Sequence, residues 1–271
     1  MAYADDYVLG RALSDSVRLD AQHLLWKLHT GYTLHPQIPV RADMKVAELG
    51  TGTAIWLFDL SKDLPPATQL HGFDISGDQF PAPELWPSNV SLGLLNSLVD
   101  PPPSLTGQYD VVHVRMWASN IKDGNLAPLV SHIAKLLKPG GYVQWEEADL
   151  VHQVIAGAKA ERFGEKVPAL FRKAGLDYSW ASAIHDHLEQ ARLGVLESRT
   201  DRFQPFLVQK CTDTYLLALA EILRGIGLTC AEDVLPLLRE READLRELSA
   251  LHNKGIIYNW SPIKSLAQKG E

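Results

Sequence analysis

Cysteine is scarce in this 271-residue sequence, which contains only Cys211 and Cys230. Two cysteines are too few for a disulfide framework, and they lack the paired spacing of a zinc site. Long hydrophobic runs are also missing, since no apolar stretch approaches the roughly 20 residues that span a bilayer. The N-terminus carries Asp5 and Asp6 where a secretory signal would carry bases and an apolar stretch. We therefore expect a reduced, cytoplasmic protein with no membrane partner.

Basic residues are fewer than acidic ones. The sequence has 26 Lys and Arg against 33 Asp and Glu, a formal net charge of −7, and its basic residues never form a run of five. Because phosphate binding relies on clustered Lys and Arg, this charge disfavours nucleic acid as a partner. The hydrophobic fraction of 46% and the charged fraction of 22% are those of an ordinary globular protein. At this length we expect one large α/β domain with an appended lobe.

The N-terminal region predicts a helix. Apolar side chains recur there at helical spacing: Val17, Ala21, Leu24, Leu25 and Leu28. Ser14 is the candidate N-cap, and Gly31 is the candidate stop. A short proline-containing linker, residues 35–39, follows this helix.

The middle of the chain alternates short apolar runs with helical patterns. Strands are predicted over residues 44–49, 69–74, 90–95, 109–115 and 142–146. Helices are predicted over residues 54–63 and 126–137. This alternation predicts crossover units and a mostly parallel sheet with both faces covered by helices.

The alternation fades after residue 150. The patterns there predict helices over residues 161–174, 212–225 and 231–250, and strands over residues 194–202 and 255–260. The last two helices would then form an insertion before the last strand of the sheet.

A glycine-rich motif follows the first predicted strand. It contains Glu48, Gly50, Thr51 and Gly52, and glycines at such a junction let a ligand approach the N–H groups of a helix N-terminus. Two interpretations compete. A dinucleotide fingerprint needs a third glycine where Ile55 stands, and it gives Glu48 no role. A cationic sulfonium ligand does give Glu48 a role, because its carboxylate can attract the α-ammonium group of that ligand.

A second acid, Asp74, ends the second predicted strand. A carboxylate at this place accepts hydrogen bonds from ribose hydroxyls in dinucleotide and adenosyl sites alike. Together, Glu48 and Asp74 predict an adenosyl ligand site. The alternative is that both are ordinary carboxylates at strand ends.

At this point the chain resembles a known family, the class I S-adenosylmethionine-dependent methyltransferases, and within it the fungal LaeA-like group associated with secondary metabolism. The resemblance is carried by residues 7–11, 18–23, 48–53, 72–76, 79–81, 109–115 and 138–146. It covers about residues 3–150 well and the remainder loosely. The resemblance implies a Rossmann-like sheet of seven mostly parallel strands and S-adenosylmethionine as the cofactor. It does not specify a substrate.

The resemblance also implies the residues that bind the cofactor: Glu48, Gly50, Thr51, Gly52, Asp74, Ile75, Asn96, Ser97, Leu98 and Arg115. One position departs from the family pattern, because the family usually has an aspartate that accepts a hydrogen bond from the adenine amino group where Asn96 stands. The Asn96 carbonyl can still accept that bond without charge assistance. Alternatively, Asn96 is a turn residue.

Candidate catalytic and acceptor-binding residues follow the fourth and fifth strands. Glu146 is predicted to act in catalysis or substrate binding, against a structural ion pair, and the adjacent Glu147 should point to the opposite side of the strand. His152 is placed where a general base could reach a substrate hydroxyl. Trp117 and Tyr7 are predicted to bind the substrate, Tyr7 as part of an N-terminal lid. No metal site is predicted, because the histidines at 185 and 187 lack further ligands at a recognisable spacing.

These expectations combine into one functional prediction. Residues 1–39 form a helical cap, residues 40–150 the cofactor-binding core, and residues 151–271 a helical lid or insertion with the final strands of the same domain. The predicted activity is methyl transfer to an O or N atom of a small-molecule secondary metabolite, by a protein that is a candidate homodimer. The alternatives are a dehydration or pericyclic cyclisation that uses bound S-adenosylmethionine, and a LaeA-like regulator.

Overall fold

The protein folds around one seven-stranded sheet. The structure is a computed structural model, and it describes residues 9–271. The strands are β1 (Lys45–Leu49), β2 (Gln69–Asp74), β3 (Val90–Leu94), β4 (Tyr109–Arg115), β5 (Leu137–Ala156), β6 (Leu193–Thr200) and β7 (Ile257–Lys269). Their order across the sheet is β3-β2-β1-β4-β5-β7-β6, and β7 is antiparallel to both of its neighbours. The predicted Rossmann-like class I methyltransferase sheet is confirmed.

Helices cover both faces of this sheet. They are α1 (Leu13–Thr30), α2 (Ile55–Asp63), α3 (Ala127–Leu136), α4 (Ala158–Lys173), α5 (Ile184–Gln190), α6 (Val208–Thr229) and α7 (Leu235–Ser249). Trp56 and Leu57 of α2 pack in one apolar cluster, and Leu129 and Ile133 of α3 pack in the other. The central strand β4 is buried from Tyr109 to Val114, as expected for a parallel strand that is covered on both sides.

The insertion before the last strand is confirmed, since α6 and α7 lie between β6 and β7 in the chain and α6 packs against α1. Within residues 9–271, no helix is long and apolar enough to cross a membrane. The division of the chain at residues 39 and 150 stays a prediction.

Helix α1 buries a face that its apolar pattern does not indicate. Leu25 and Trp26 are buried, but so are Arg18, Gln22 and His23. The apolar stripe formed by Leu13, Val17, Leu24 and Leu28 is exposed instead, and Leu13 is 83% exposed. The helix turns its polar side inward because that side contacts charged groups of the sheet and of α6, as described below.

The ends of α1 confirm one predicted signal and correct another. Gly31 ends the helix with a φ of +78°, a left-handed conformation that favours glycine. Ser14 is not the N-cap. The helix begins after Ala12, whose N–H donates to Asp15 Oδ2, while the Ser14 hydroxyl donates to Asp15 Oδ1.

Strands β5 and β7 extend well beyond the predicted bounds. They pair as an antiparallel ribbon from Tyr142 to Ala156, with an irregularity between Asp149 and Val154. At the predicted end of β5 and beyond it the sequence contains acids, and Glu146, Glu147 and Asp149 are buried here. Buried carboxylates need hydrogen-bond donors from other parts of the chain, so a pattern of polar and apolar letters cannot identify them.

Candidate active site

A cavity of about 250 Å³ lies at the carboxyl ends of the parallel strands, under α1 and α6. This edge of an open α/β sheet is where ligands bind. All ten residues that the resemblance implied for cofactor binding line this one cavity: Glu48, Gly50, Thr51, Gly52, Asp74, Ile75, Asn96, Ser97, Leu98 and Arg115. Trp117, a predicted substrate residue, lines it as well. The structure therefore brings together residues that lie on four strand ends.

The glycine loop between β1 and α2 is shaped by its two glycines. Gly50 and Gly52 have φ values of +69° and +53°, which disfavour other residues. The N–H groups of Gly50 and Thr51 both donate to the Phe73 carbonyl, at 2.8 and 3.0 Å. A Cβ at Gly50 would stand 3.0 Å from the indole nitrogen of Trp117, so glycine also allows this close approach.

Asp74 at the end of β2 holds the glycine loop. Its Oδ2 accepts from Gly52 N–H at 2.9 Å, and its Oδ1 accepts from Ser76 N–H at 3.2 Å. Burial raises the pKa of Asp74, although these bonds act in the opposite direction. A carboxylate has about four lone-pair sites, so acceptor capacity remains for a ribose hydroxyl.

Glu48 occupies the end of β1 and is buried. Its Oε2 accepts from the Thr51 hydroxyl at 2.6 Å, and its Oε1 lies 3.2 Å from His113 Nδ1. His113, in the middle of β4, is fully buried. Each carboxylate oxygen thus has one protein donor and keeps acceptor capacity toward the cavity.

Asn96 lies in the turn after β3. Its Oδ1 accepts from Leu98 N–H at 2.9 Å, which is the turn geometry given above as the alternative. Asn96 also lines the cavity, so the same oxygen still has a lone pair for an adenine amino group. The adenine contact stays a prediction.

Helix α1 crosses over the glycine loop. The Thr53 hydroxyl donates to Asp20 at 2.7 Å, and the Gln79 amide donates to Ser16 at 3.1 Å. Three residues of α1 line the cavity, namely Arg18, Leu19 and Gln22. They lie in the motif 18–23 that carried the resemblance, but nothing in that motif indicated that their side chains face the ligand.

Glu146 stands behind the cavity. Among the residues that the structure describes, it is not part of the lining. Its Oε2 lies 3.5 Å from His113 Nε2 and 3.6 Å from the Arg115 guanidinium, and its Oε1 accepts from the Gln144 amide at 3.0 Å. Burial alone would raise the pKa of Glu146. The pKa is lowered instead, because His113 and Arg115 favour the ionised form. These contacts are compatible with the structural ion pair given above as the alternative, and a catalytic role of Glu146 stays a prediction.

Arg115 connects Glu146 to helix α1. It lines the cavity, and its guanidinium donates to His23 Nδ1 at 3.1 Å. Burial, and then the charge of Arg115, lower the pKa of His23 to about 4, so His23 is neutral at pH 7. Its Nε2 lies 3.3 Å from Asp59 Oδ2.

Glu147 points to the other side of β5, as predicted, and holds Trp117. Its Oε2 accepts from the Trp117 N–H at 2.8 Å, and its Oε1 accepts from Ala148 N–H at 3.0 Å. The Trp117 indole donates in turn to the Leu49 carbonyl at 3.0 Å. Burial raises the pKa of Glu147 to about 7 even though these bonds favour the ionised form.

This pKa predicts a pH-dependent stability. The ordinary pKa of the side chain is 4.5, so between pH 4.5 and 7 the folded protein holds a proton that the unfolded chain has lost. The contribution of Glu147 to the unfolding free energy therefore falls as the pH rises. Glu147→Gln removes this titration, so the difference in unfolding free energy between variant and wild type should shift by about 3 kcal/mol in favour of the variant over this range. Urea unfolding of both proteins at pH 4.5 and pH 7 measures this shift. A difference in unfolding free energy that is the same at both pH values would contradict the prediction.

The other wall of the cavity comes from the second half of the chain and was not predicted. It is formed by uncharged side chains: Leu150, Thr214, Tyr215, Ala218, Ile222 and Trp260. The Tyr215 hydroxyl accepts from the Gln153 amide at 3.2 Å, and burial raises the pKa of Tyr215 to about 12. The phenol therefore stays protonated at pH 7. The helical pattern of α6 indicated an amphipathic helix, but not which neighbour it packs against.

His152, like Glu146, does not line the cavity found among residues 9–271. It is 72% exposed, and its Nδ1 lies 2.9 Å from Asp149 Oδ2. Tyr7 lies outside the described residues. Within those residues, no group of His, Cys, Asp and Glu side chains is arranged to hold a metal ion.

Comparisons with known proteins agree with this architecture. A family model described as a methyltransferase domain matches residues 33–197. The chain is 36% identical over 151 residues to methyltransferase grgD of a Penicillium species, over 53% of this chain and 52% of the relative. It is 35% identical over 145 residues to N-methyltransferase tcpN of Claviceps purpurea, over 52% of this chain and 51% of the relative. These matches span about half the length of either relative.

The secondary metabolism regulator laeA of Coprinopsis cinerea is 32% identical over 40% of this chain and 25% of its own length. Among solved structures, a phosphoethanolamine N-methyltransferase of Haemonchus contortus in complex with S-adenosylhomocysteine has a TM-score of 0.52 at 14% identity, over 92% of this chain and 52% of that chain. The [4+2]-cyclase SpnF has a TM-score of 0.54 at 17% identity, over 93% of this chain and 81% of that chain. The fold is thus shared widely, and the family match is what identifies the chain. The chain belongs to the methyltransferase domain family, and its sheet has the class I methyltransferase fold that its motifs predicted.

Proposed function

We propose that this protein transfers a methyl group from S-adenosylmethionine to an O or N atom of a small, uncharged secondary metabolite. One observation carries the proposal. A single cavity joins the glycine loop, Glu48 and Asp74 on one side to an uncharged wall from α6, β5 and β7 on the other. The first side suits an adenosyl cofactor, and the second suits an apolar acceptor.

The residues present fit this cofactor. Asp74 keeps acceptor capacity for ribose hydroxyls, Glu48 carries a buried carboxylate for an ammonium group, and both line the cavity. When bound, S-adenosylmethionine supplies a methyl group on a positively charged sulfur. The protein's own task is to hold the donor and the acceptor in line in a cavity that is poor in water.

The acceptor wall supports an uncharged substrate. Its side chains are apolar or hydroxyl-bearing, and Tyr215 stays protonated at pH 7. A charged acceptor would find no counter-ion among these six side chains, which is costly. The charged residues of the cavity lining belong to the N-terminal segment, to β1, β2 and β4, and to the turn after β4. The wall therefore favours a neutral molecule with a hydroxyl or amide nucleophile.

Proton removal by Glu146 or His152 stays a prediction. If His152 took a proton during the reaction, His152→Ala would lower kcat by about 10²–10⁴-fold. Its exposed position instead leads us to expect a kcat within about two-fold of wild type, since alignment would carry the reaction. Steady-state kinetics of His152→Ala, with His252→Ala at another surface histidine as control, distinguish the two.

Two further functions keep the same cofactor site. A cyclase or dehydratase would use bound S-adenosylmethionine to polarise its substrate, and the fold shared with SpnF is compatible with this. A regulator resembling laeA would act through partners. The uncharged acceptor wall supports the methyltransferase, because it offers an apolar surface for a small molecule beside the glycine loop.

Product mass tests the proposal. The purified chain is incubated with S-adenosylmethionine and a panel of neutral phenols and secondary amides, and the products are analysed by mass spectrometry. We expect a gain of about 14 mass units with formation of S-adenosylhomocysteine in equal amount. A product of unchanged mass, or one about 18 units lighter, without S-adenosylhomocysteine would contradict methyl transfer and favour the cyclase or dehydratase.

The finer statements about cellular context are also proposals. A cytoplasmic location, a homodimeric assembly and the absence of nucleic-acid and membrane partners are compatible with the net charge of −7 and the scarcity of cysteine.

A further inference from the structure

We propose that His113 is a positioning residue: it holds the Glu48 carboxylate in the orientation that receives the α-ammonium group of the cofactor. This inference rests on the proposed function, because it assumes that S-adenosylmethionine binds in the cavity. In this proposal His113 supports binding of the amino-acid half of the cofactor, through Glu48. The adenosyl half is bound by Asp74 and the turn after β3.

Both oxygens of Glu48 are already restrained. Oε2 accepts from the Thr51 hydroxyl at 2.6 Å, and Oε1 lies 3.2 Å from His113 Nδ1. A carboxylate held by donors at both oxygens cannot rotate freely about its last side-chain bond. Each oxygen keeps a further acceptor site, and Glu48 lines the cavity, so those sites are available to a ligand.

The His113 ring is itself fixed from three sides. It stacks on Trp56 with ring centroids 3.7 Å apart and planes 5° apart, and it has no exposed surface. His113 stands in register with Glu48 of β1, so the two side chains leave neighbouring parallel strands on the same face of the sheet. On its far side, Nε2 lies 3.5 Å from Glu146 Oε2.

Glu146 is anchored in turn. The Gln144 amide donates to its Oε1 at 3.0 Å, and Arg115 lies 3.6 Å from its Oε2. Arg115 lines the cavity and donates to the neutral His23 of α1. The chain of contacts from Glu48 through His113 and Glu146 to Arg115 therefore begins and ends at the cavity wall. Its two ends carry opposite charges, which complement the ammonium and carboxylate groups of an amino acid.

Three substitutions at residue 113 separate the hydrogen bond from the packing. His113→Phe keeps a ring that can stack on Trp56 but removes both nitrogens. His113→Asn places an amide near the position of Nδ1 and so can keep the bond to Glu48, whereas His113→Gln places its amide near the position of Nε2 and loses that bond. Because Asn and Gln are both polar and unstacked, they form a matched pair should the Phe variant fail to fold.

The measurement is calorimetric titration with two ligands. S-adenosylhomocysteine carries the amino-acid half, and 5′-methylthioadenosine lacks it. We expect His113→Phe and His113→Gln to lower the affinity for S-adenosylhomocysteine by about 10-fold or more. Their affinity for 5′-methylthioadenosine should stay within about two-fold of wild type. His113→Asn should retain most of the affinity for both ligands.

A merely structural role would give another pattern. The proposal would be overturned if a variant lost the same affinity for both ligands, or if the Asn and Gln variants bound S-adenosylhomocysteine equally well. Wild-type affinity for S-adenosylhomocysteine in His113→Phe would also overturn it. Failure of wild-type protein to bind either ligand would instead refute the proposed function. The two failures are therefore distinguishable in one set of titrations.

Discussion

Replacing Asp74 by alanine is expected to weaken S-adenosylhomocysteine binding by about 2–4 kcal/mol. The substitution removes the carboxylate proposed to accept the ribose hydroxyls. It also leaves the Gly52 N–H, now 2.9 Å from Asp74 Oδ2, without its acceptor. The loop then keeps its bonds from Gly50 and Thr51 to the Phe73 carbonyl but loses its bond to Asp74 together with the ligand contact. Both effects act in the same direction.

Asp78→Ala is the matched control for this experiment. Asp78 lies four residues further along the chain, is exposed, and is not in the cavity lining found among the described residues. Its replacement should leave the affinity within about 0.5 kcal/mol of wild type. Calorimetric titration measures both variants. Unchanged affinity in Asp74→Ala would remove Asp74 from the site and with it the assignment of the adenosyl half.

Replacing Glu221 by alanine is expected to lower the unfolding free energy by about 3–5 kcal/mol. Glu221 of α6 and Arg18 of α1 are each 3% exposed and form two parallel contacts, at 2.5 and 2.9 Å. Burial raises the pKa of Glu221, although the charge and hydrogen bond of Arg18 act in the opposite direction. Alanine would leave the Arg18 guanidinium buried without a counter-ion.

The double variant Arg18→Met, Glu221→Met tests the cause of this loss. It removes both charges and refills the space, so it should recover most of the stability. Lys159→Ala breaks the exposed pair with Glu247 and should cost less than about 1 kcal/mol. Urea unfolding compares the three proteins. A loss below about 1 kcal/mol in Glu221→Ala would contradict the account, and it would also mean that the pair does not hold α1 against α6.

The sheet could be predicted from the sequence because its central strands are short, apolar and bounded by polar turns. The predicted bounds 69–74 and 109–115 match β2 and β4, and the bounds of β1 and β3 differ by one residue. The cofactor half of the cavity followed from the same regularity. Parallel strands end at one edge, so motifs placed after β1, β2, β3 and β4 had to meet there.

The rest of the site depends on contacts between distant parts of the chain. Arg18 is buried because Glu221 stands opposite to it, 203 positions away. A helix pattern carries no information about such a partner, so the apolar stripe of α1 indicated a helix without indicating that the opposite face is the buried one. The acceptor wall of α6 was missed for the same reason.

Placement at a strand end did not determine where a side chain points. Glu146 and His152 were predicted at the end of the fifth strand and just past it, and the structure places both within the longer β5. Glu146 turns to His113 and Arg115, and His152 turns to Asp149 and the surface. Which side chain faces a ligand is decided by such local partners, and the spacing of residues along a strand does not reveal them.

The central claim is that this cavity binds an adenosyl amino acid and not a dinucleotide. Calorimetric titration of the full chain with S-adenosylhomocysteine and, separately, with NAD⁺ tests it most directly. We predict saturable binding of one S-adenosylhomocysteine per chain and no binding of NAD⁺, because Ile55 replaces the third glycine of a dinucleotide loop and Glu48 favours an ammonium group. Binding of NAD⁺ in place of S-adenosylhomocysteine, or of neither, would contradict the account.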